Sequence, residues 1–159
     1  MTHRELCLLA AKKIRTAIDW DVPKCPDSIV EPFSFCSYEQ PDVFAWCYWT
    51  TVMIECKVSH ADFLADLKKP FRLKPESGIG RHRYYCCPEG IIKAEEVPEG
   101  FGLLYAIDGR LKLIKKAVPF DRHNQNGEIG IVTSIVKRNG IKPQVFNFRK
   151  NEPHSVNGR

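Results

Sequence analysis

The chain has 159 residues, 43% of them hydrophobic and 11% aromatic, which allows one well-filled core and excludes a largely disordered chain. Its net charge of +5 excludes a strongly acidic protein and keeps polyanions among the candidate partners. No apolar run approaches the roughly 18 residues a membrane span needs, and the opening "MTHRELCLLAAKK" is charged and helical rather than a signal peptide. A cytoplasmic protein with no membrane partner is therefore expected. Cys7, Cys25, Cys36, Cys47, Cys56, Cys86 and Cys87 are odd in number and lack CxxC pairs, so neither a disulfide framework nor a zinc site is expected.

The first element is a helix over "THRELCLLAAKKIRTAIDW": Thr2 and Glu5 have capping-box spacing, and Cys7, Ala11, Ile14 and Ile18 form one apolar stripe. Between Val22 and Gln40, Pro and Ser prevail, and "FSFCSY" is the strand-like piece. Two stronger strands follow, Asp42 to Tyr48 and Thr51 to Val58, joined by a tight connection near Trp49 and Thr50. Ser59 and Asp62 repeat the capping-box spacing, Phe63, Leu64 and Leu67 give a second helix its stripe, and Pro70 stops it. "RLKPESGIGRH" reads as a mobile loop, "RYYCC" as a strand, and "LLYAID" with "LKLIKKA" as a hairpin turning at Asp108-Gly109. "EIGIVTSIVKRNG" reads as a final helix ending at Asn139-Gly140, with strand as the competitor because of its β-branched residues. The last ten residues are polar, and a loose end is expected there. With no linker dividing it, the chain reads as a single α/β (α+β) domain over 1–159, a central sheet with helices against it.

Strand alternation puts Glu55 and Lys57 on one face and Ile54, Cys56 and Val58 on the other. A two-residue loop at Trp49-Thr50 would pair Phe44 with Glu55 and Asp42 with Lys57, giving both acids and the lysine one face. Val43, Ala45, Cys47, Val52, Ile54 and Cys56 then form an apolar back face. Two carboxylates on rigid strands are hard oxygen ligands suited to Mg²⁺ or Mn²⁺, and a nearby lysine can orient water or stabilise charge on a phosphate. The competing explanation is an exposed Glu55–Lys57 ion pair with Asp42 opening a strand.

Pro41-Asp42 followed by Glu55-Cys56-Lys57 resembles the signature of the PD-(D/E)XK nuclease superfamily, and the order helix, three strands, helix, strand is similar to that fold's core. "ECKVSHADFLADLKKPFR", "RYYCCPEGI" and "PEGFGLL" resemble, more narrowly, small members found in phages and prophages. The resemblance covers about residues 3–117 and leaves 118–159 as a C-terminal extension. It implies a restriction-endonuclease-like mixed sheet and a metal-dependent phosphodiesterase acting on DNA, ahead of RNA. Asp42 and Glu55 would hold Mg²⁺ or Mn²⁺, the Cys56 backbone carbonyl would be a further ligand, and Lys57 would be the catalytic lysine. Glu5 is the candidate for the helix-one acid that completes such sites, with its capping position an equally good explanation. A homodimer, or a phage replication, repair or packaging partner, is compatible with this reading. The alternative is a noncatalytic nucleic-acid-binding accessory protein, and a third reading is an interaction domain whose acids are structural.

From Lys57 to Arg83 seven Lys or Arg face three acids, a local basic excess beside the acidic pair. Lys69, Arg72, Arg81 and Arg83 are the candidate nucleic-acid contacts, the arginines favoured because a planar guanidinium matches phosphate. Asp62 and Asp66 share a helix face with Lys69, and a solvated face is the ordinary explanation. Trp46, Tyr48 and Trp49 could stack on bases, although packing over a strand edge is the default for such aromatics.

Overall fold

The computed structural model describes residues 1–33 and 39–140, with the backbone of two short strands beyond them, β7 (Val145–Asn147) and β8 (Glu152–His154). Most of "FSFCSY", including Cys36, lies outside the described residues, as does most of the polar C-terminal end. The elements preceding those strands are α1 (His3–Ile14), β1 (Asp27–Val30), β2 (Val43–Trp46), β3 (Thr51–Cys56), α2 (His60–Asp66), α3 (Pro70–Leu73), β4 (His82–Pro88), β5 (Gly102–Ile107), β6 (Arg110–Lys115) and α4 (Gln125–Arg138).

Six strands form one mixed sheet in the order β1-β2-β3-β4-β5-β6. β1, β2 and β3 pair antiparallel, β3, β4 and β5 run parallel, and β6 returns antiparallel to β5. The parallel step from β3 to β4 requires a crossover, which α2 and α3 supply. Helices flank both faces, making a central mixed sheet of α/β type.

Each layer follows from the pattern of its residues. The Thr2 hydroxyl and the Glu5 carboxylate complete the capping box reciprocally, starting α1, whose buried stripe Leu6, Cys7, Ala10, Ala11 and Ile14 lies on the back face. There it meets Val43, Ala45, Val52, Ile54 and Cys56, with Cys47 packed alongside, the apolar set expected from strand alternation. On the front face Phe63 meets Tyr85 edge-on at 5.0 Å, and Tyr85 stacks on Phe101 at 5.4 Å. α4 is a helix despite its β-branched content: Ile131 packs with Phe44 and Ile79 while Ile129 and Val136 face solvent. The β5–β6 turn is at Asp108-Gly109, with φ of 48° and 71°. Both values are positive, as a two-residue turn matching strand twist requires.

The β2–β3 connection differs from the expected two-residue loop. Trp46 pairs with Thr51, so residues 47–50 make the turn, closed by the Cys47 N–H donating to the Thr50 carbonyl at 3.0 Å. Phe44 consequently faces Met53 rather than Glu55. Trp-Thr lacks the left-handed preference of a two-residue turn, and a longer loop avoids that demand. The shift is two residues, the period of a strand, so the division into faces survives it.

Gly102 shows how closely the sheet is packed. A Cβ there would lie 2.4 Å from the buried Tyr84 ring and 2.7 Å from the Lys115 carbonyl oxygen. Gly102→Ala is expected to cost about 1–3 kcal/mol by overpacking, read as a lower urea midpoint with an unchanged slope.

Candidate functional site

Glu55 is the penultimate residue of β3 and Lys57 immediately follows that strand, at the carboxyl end of a parallel pair. This end of an open α/β sheet is where ligands ordinarily bind. Both side chains are withdrawn from solvent, Glu55 at 2% and Lys57 at 8% exposure. Lys57 Nζ lies 2.9 Å from Glu55 Oε2, 3.4 Å from Asp66 Oδ1 and 3.9 Å from Asp42 Oδ2. An ammonium surrounded by three carboxylates marks a position of strong cation preference. Asp42, just before β2, is fixed by the Cys56 N–H, which donates to Oδ2 at 2.8 Å.

The network extends inward through α2 and α3. Arg72 Nε donates to Asp66 Oδ2 at 2.8 Å, its NH2 group lies 3.2 Å from Glu55 Oε1, and NH1 bonds Glu39. The Tyr85 hydroxyl also donates to Asp66 Oδ2, at 2.8 Å. Lys69, half-exposed at the rim, reaches Asp66 Oδ1 at 2.6 Å. Asp66, expected on a solvated face, is only 1% exposed and is a hub of the cluster.

Desolvation pushes the Glu55 carboxyl up to about 7 against the opposing pull of Arg72 and Lys57. Burial also raises the Asp66 carboxyl, but the Arg72 and Lys57 charges outweigh it and hold that group well below its ordinary range. For Lys57 the burial penalty is outweighed by Glu55 and Asp66, which keep it an ammonium to higher pH than usual.

The two shifted carboxyls act oppositely on stability. Asp66 contributes stability that is present above its ordinary 3.8 and lost as pH falls below it. Glu55, raised from 4.5 to about 7, binds a proton in the folded state where the unfolded chain has released it. Stability of metal-free protein should therefore fall as pH rises from 4.5 to 7 by an amount on the order of 2 kcal/mol. Glu55→Gln should abolish this contribution, as measured by urea midpoints at pH 5 and 7 in chelator.

Other expected site residues lie elsewhere. Glu5 does not join the carboxylates: its Oε2 accepts from the Thr2 N–H at 2.7 Å on the exposed side of α1. The helix-one side chain that reaches the cluster is His3, whose Nε2 lies 3.3 Å from Asp42 Oδ2. His3, Cys7 and Asp42 each place a donor atom within 4.8 Å of the others, a grouping able to coordinate a metal ion.

Arg72 and Arg83, expected to contact nucleic acid, are buried. Arg83 donates to the Gly80 and Gly78 carbonyls and lies over Phe120 at 4.2 Å, so its guanidinium is spent on structure. Arg81 is exposed, but the β3–β4 register puts it beside Thr51, about 13 Å along the strand from Glu55. Of the four basic candidates, Lys69 alone is both exposed and directly bonded to the cluster. Tyr48 and Trp49, expected to pack, stand 99% and 74% exposed on the 47–50 turn. Glu39 was missed because nothing local in the Pro- and Ser-rich segment connects it to an arginine 33 residues later.

These elements define an α/β protein with a buried charge cluster at the carboxyl end of its parallel strands and a grouping capable of metal coordination beside it. Among the described residues, no helix is long and apolar enough to cross a membrane. No protein-family model and no curated protein matches the chain. The fold is similar to the solved structure of the SPO1766 protein of unknown function from Silicibacter pomeroyi, with a TM-score of 0.64 and 19% identity over 99% of both chains. That likeness extends across the whole fold and carries no activity with it.

Proposed function

We propose that this protein is a divalent-metal-dependent nuclease of the PD-(D/E)XK kind, hydrolysing phosphodiester bonds in DNA. The observation that carries the reading is the position of Lys57 Nζ between Glu55 at 2.9 Å and Asp42 at 3.9 Å, at the carboxyl end of β3. Further support comes from the chain order: a helix, a three-stranded meander, a crossover helix and a parallel fourth strand.

The donor set fits Mg²⁺ or Mn²⁺, because Asp42 and Glu55 present hard oxygens around a position that already attracts a cation. Glu55 Oε1, moreover, has no hydrogen-bond donor among the described residues and lies 3.2 Å from the Arg72 guanidinium. Asp42 and Glu55 would hold the ion, which supplies polarisation of a phosphoryl oxygen and a more acidic bound water. Lys57 remains charged, so its part is electrostatic: its ammonium orients the attacking oxygen and stabilises negative charge developing on the phosphate. Asp66, held by Arg72 and Tyr85, positions Lys57 through the 3.4 Å contact. Lys69 at the rim offers an exposed cation to the strand backbone.

A second reading, a noncatalytic DNA-binding accessory protein, draws on the same network. Glu55 is already neutralised by Lys57 and Arg72, an arrangement that is self-sufficient as structure. The two readings separate on a panel of single-stranded, double-stranded and branched DNA and RNA, incubated with Mg²⁺, Mn²⁺ or chelator. Metal-dependent cutting that disappears in Lys57→Ala supports the nuclease. Salt-sensitive binding that persists in chelator without cutting supports the accessory protein.

A further inference from the structure

We propose that His3, Cys7 and Asp42 form a distinct site for a borderline divalent ion of the Zn²⁺ class, with three protein donors and a fourth position open to water. The sequence offers no CxxC pair, and the site emerges only when α1 docks on the sheet end. His3 and Cys7 are four residues apart on α1 and so share a face. That face meets Asp42 where β2 begins, at the rim of the sheet.

The spacing of the three donor atoms, all within 4.8 Å of one another, suits one shared ion. Bond lengths of roughly 2.0–2.1 Å to nitrogen, about 2.0–2.2 Å to oxygen and about 2.3 Å to sulfur imply edges of about 3.3 Å between nitrogen and oxygen and about 3.6 Å between nitrogen and sulfur. His3 Nε2 lies 3.3 Å from Asp42 Oδ2 and 3.8 Å from Cys7 Sγ. The same Asp42 oxygen is fixed by the Cys56 amide, whereas Cys7 Sγ lies as near His3 Nδ1, at 3.7 Å, as Nε2, so the part-exposed ring turns to aim Nε2 at an ion shared with the sulfur. Cys7 is fully buried, while His3 is 41% exposed, which leaves a solvent side for the fourth ligand.

The chemistry of the donors selects the ion. A thiolate and an imidazole suit Zn²⁺ and its borderline neighbours, whereas Mg²⁺ takes oxygen ligands. On coordination the Cys7 S–H bond breaks, a sulfur–metal bond forms and the proton leaves to solvent. The thiolate and the Asp42 carboxylate then balance the ion's two charges. Lys57, 3.9 Å from the shared Asp42 oxygen, is the opposing charge, and Glu55 draws it away at 2.9 Å.

Asp42 is common to this trio and to the carboxylates around Lys57. In a consequence that rests on the nuclease reading, Zn²⁺ occupying the trio withdraws Asp42 and suppresses Mg²⁺-supported cleavage.

The test uses reduced, metal-stripped, full-length protein titrated with Co²⁺ and Zn²⁺ in a large excess of Mg²⁺. One equivalent of Co²⁺ should produce sulfur-to-cobalt charge-transfer absorption that Zn²⁺ displaces, with proton release on binding. Cys7→Ser should remove the absorption. His3→Ala, a change at a half-exposed position that leaves the core intact, should weaken affinity by at least tenfold. Absence of the band, its persistence in Cys7→Ser, or equal affinity in His3→Ala would each overturn the site. Zn²⁺ inhibition, expressed relative to each protein's own Mg²⁺ rate, should be relieved in His3→Ala. A protein that binds Co²⁺ as described but cuts nothing under any condition retains this site and loses the nuclease reading instead.

Discussion

Lys57→Ala is expected to lower Mg²⁺-supported cleavage of DNA by about 100- to 10,000-fold, the range for removal of a group that moves protons or stabilises transition-state charge. The variant also loses the ammonium shared by Glu55, Asp66 and Asp42, leaving them, among the described residues, the cations Arg72 and Lys69 and the histidine His3. Its metal-free form should therefore be less stable than wild type, and a divalent ion should raise its melting temperature by more than it raises the wild type's. The two effects separate catalysis from folding. A variant restored to wild-type stability by saturating Mg²⁺ yet still inactive assigns Lys57 to the chemistry. Cleavage within about threefold of wild type in the folded variant would remove Lys57 from it, and the proposed mechanism with it.

How much of this arrangement was legible in the sequence depends on the range over which each signal acts. The Thr2–Glu5 box, the Asp108-Gly109 turn and the apolar back face follow from neighbours a few residues apart, and the structure contains all three. Glu55 and Lys57 on a common face followed from strand period alone. The β2–β3 loop is two residues longer than the local pattern suggests, and because two residues are one strand period the faces stay intact. What stayed hidden depends on tertiary closure. Arg72 and Arg83 carry the same sequence signal as surface arginines, and only the docking of α3 and the aromatic layer of Phe101 and Phe120 shows that they face inward. Asp66 looked like one half of a solvated i, i+3 pair with Lys69; that pair exists, but its acid is buried and also holds Arg72, Tyr85 and Lys57. The HxxxC spacing at His3 and Cys7 was the one local hint of the second cluster, and it lacks meaning until Asp42 is seen beside it.

The largest effect on stability is expected at Arg72. Its guanidinium serves three carboxylates at once: Glu39 through NH1, Glu55 through NH2 at 3.2 Å and Asp66 through Nε at 2.8 Å. Phe71 and Phe101 lie 5.3 and 5.6 Å from its Cζ, so the group is shielded as well as paired. Arg72→Met preserves much of the volume and leaves three acids without their common cation, and it should cost about 3–5 kcal/mol, as removal of one partner from a buried ionic cluster ordinarily does. Arg72→Lys should recover only part of this, because one ammonium cannot reproduce three directed donors. Adding Glu39→Gln to Arg72→Met should cost less than the sum of the two single changes, since each removes part of the same interaction. Urea midpoints of the four proteins measure this directly. An Arg72→Met protein within 1 kcal/mol of wild type would mean the carboxylates shed their charge by taking up protons. Its stability would then fall between pH 5 and 8 more steeply than that of wild type, in which Glu55 alone contributes a decline while Arg72 keeps Asp66 ionised.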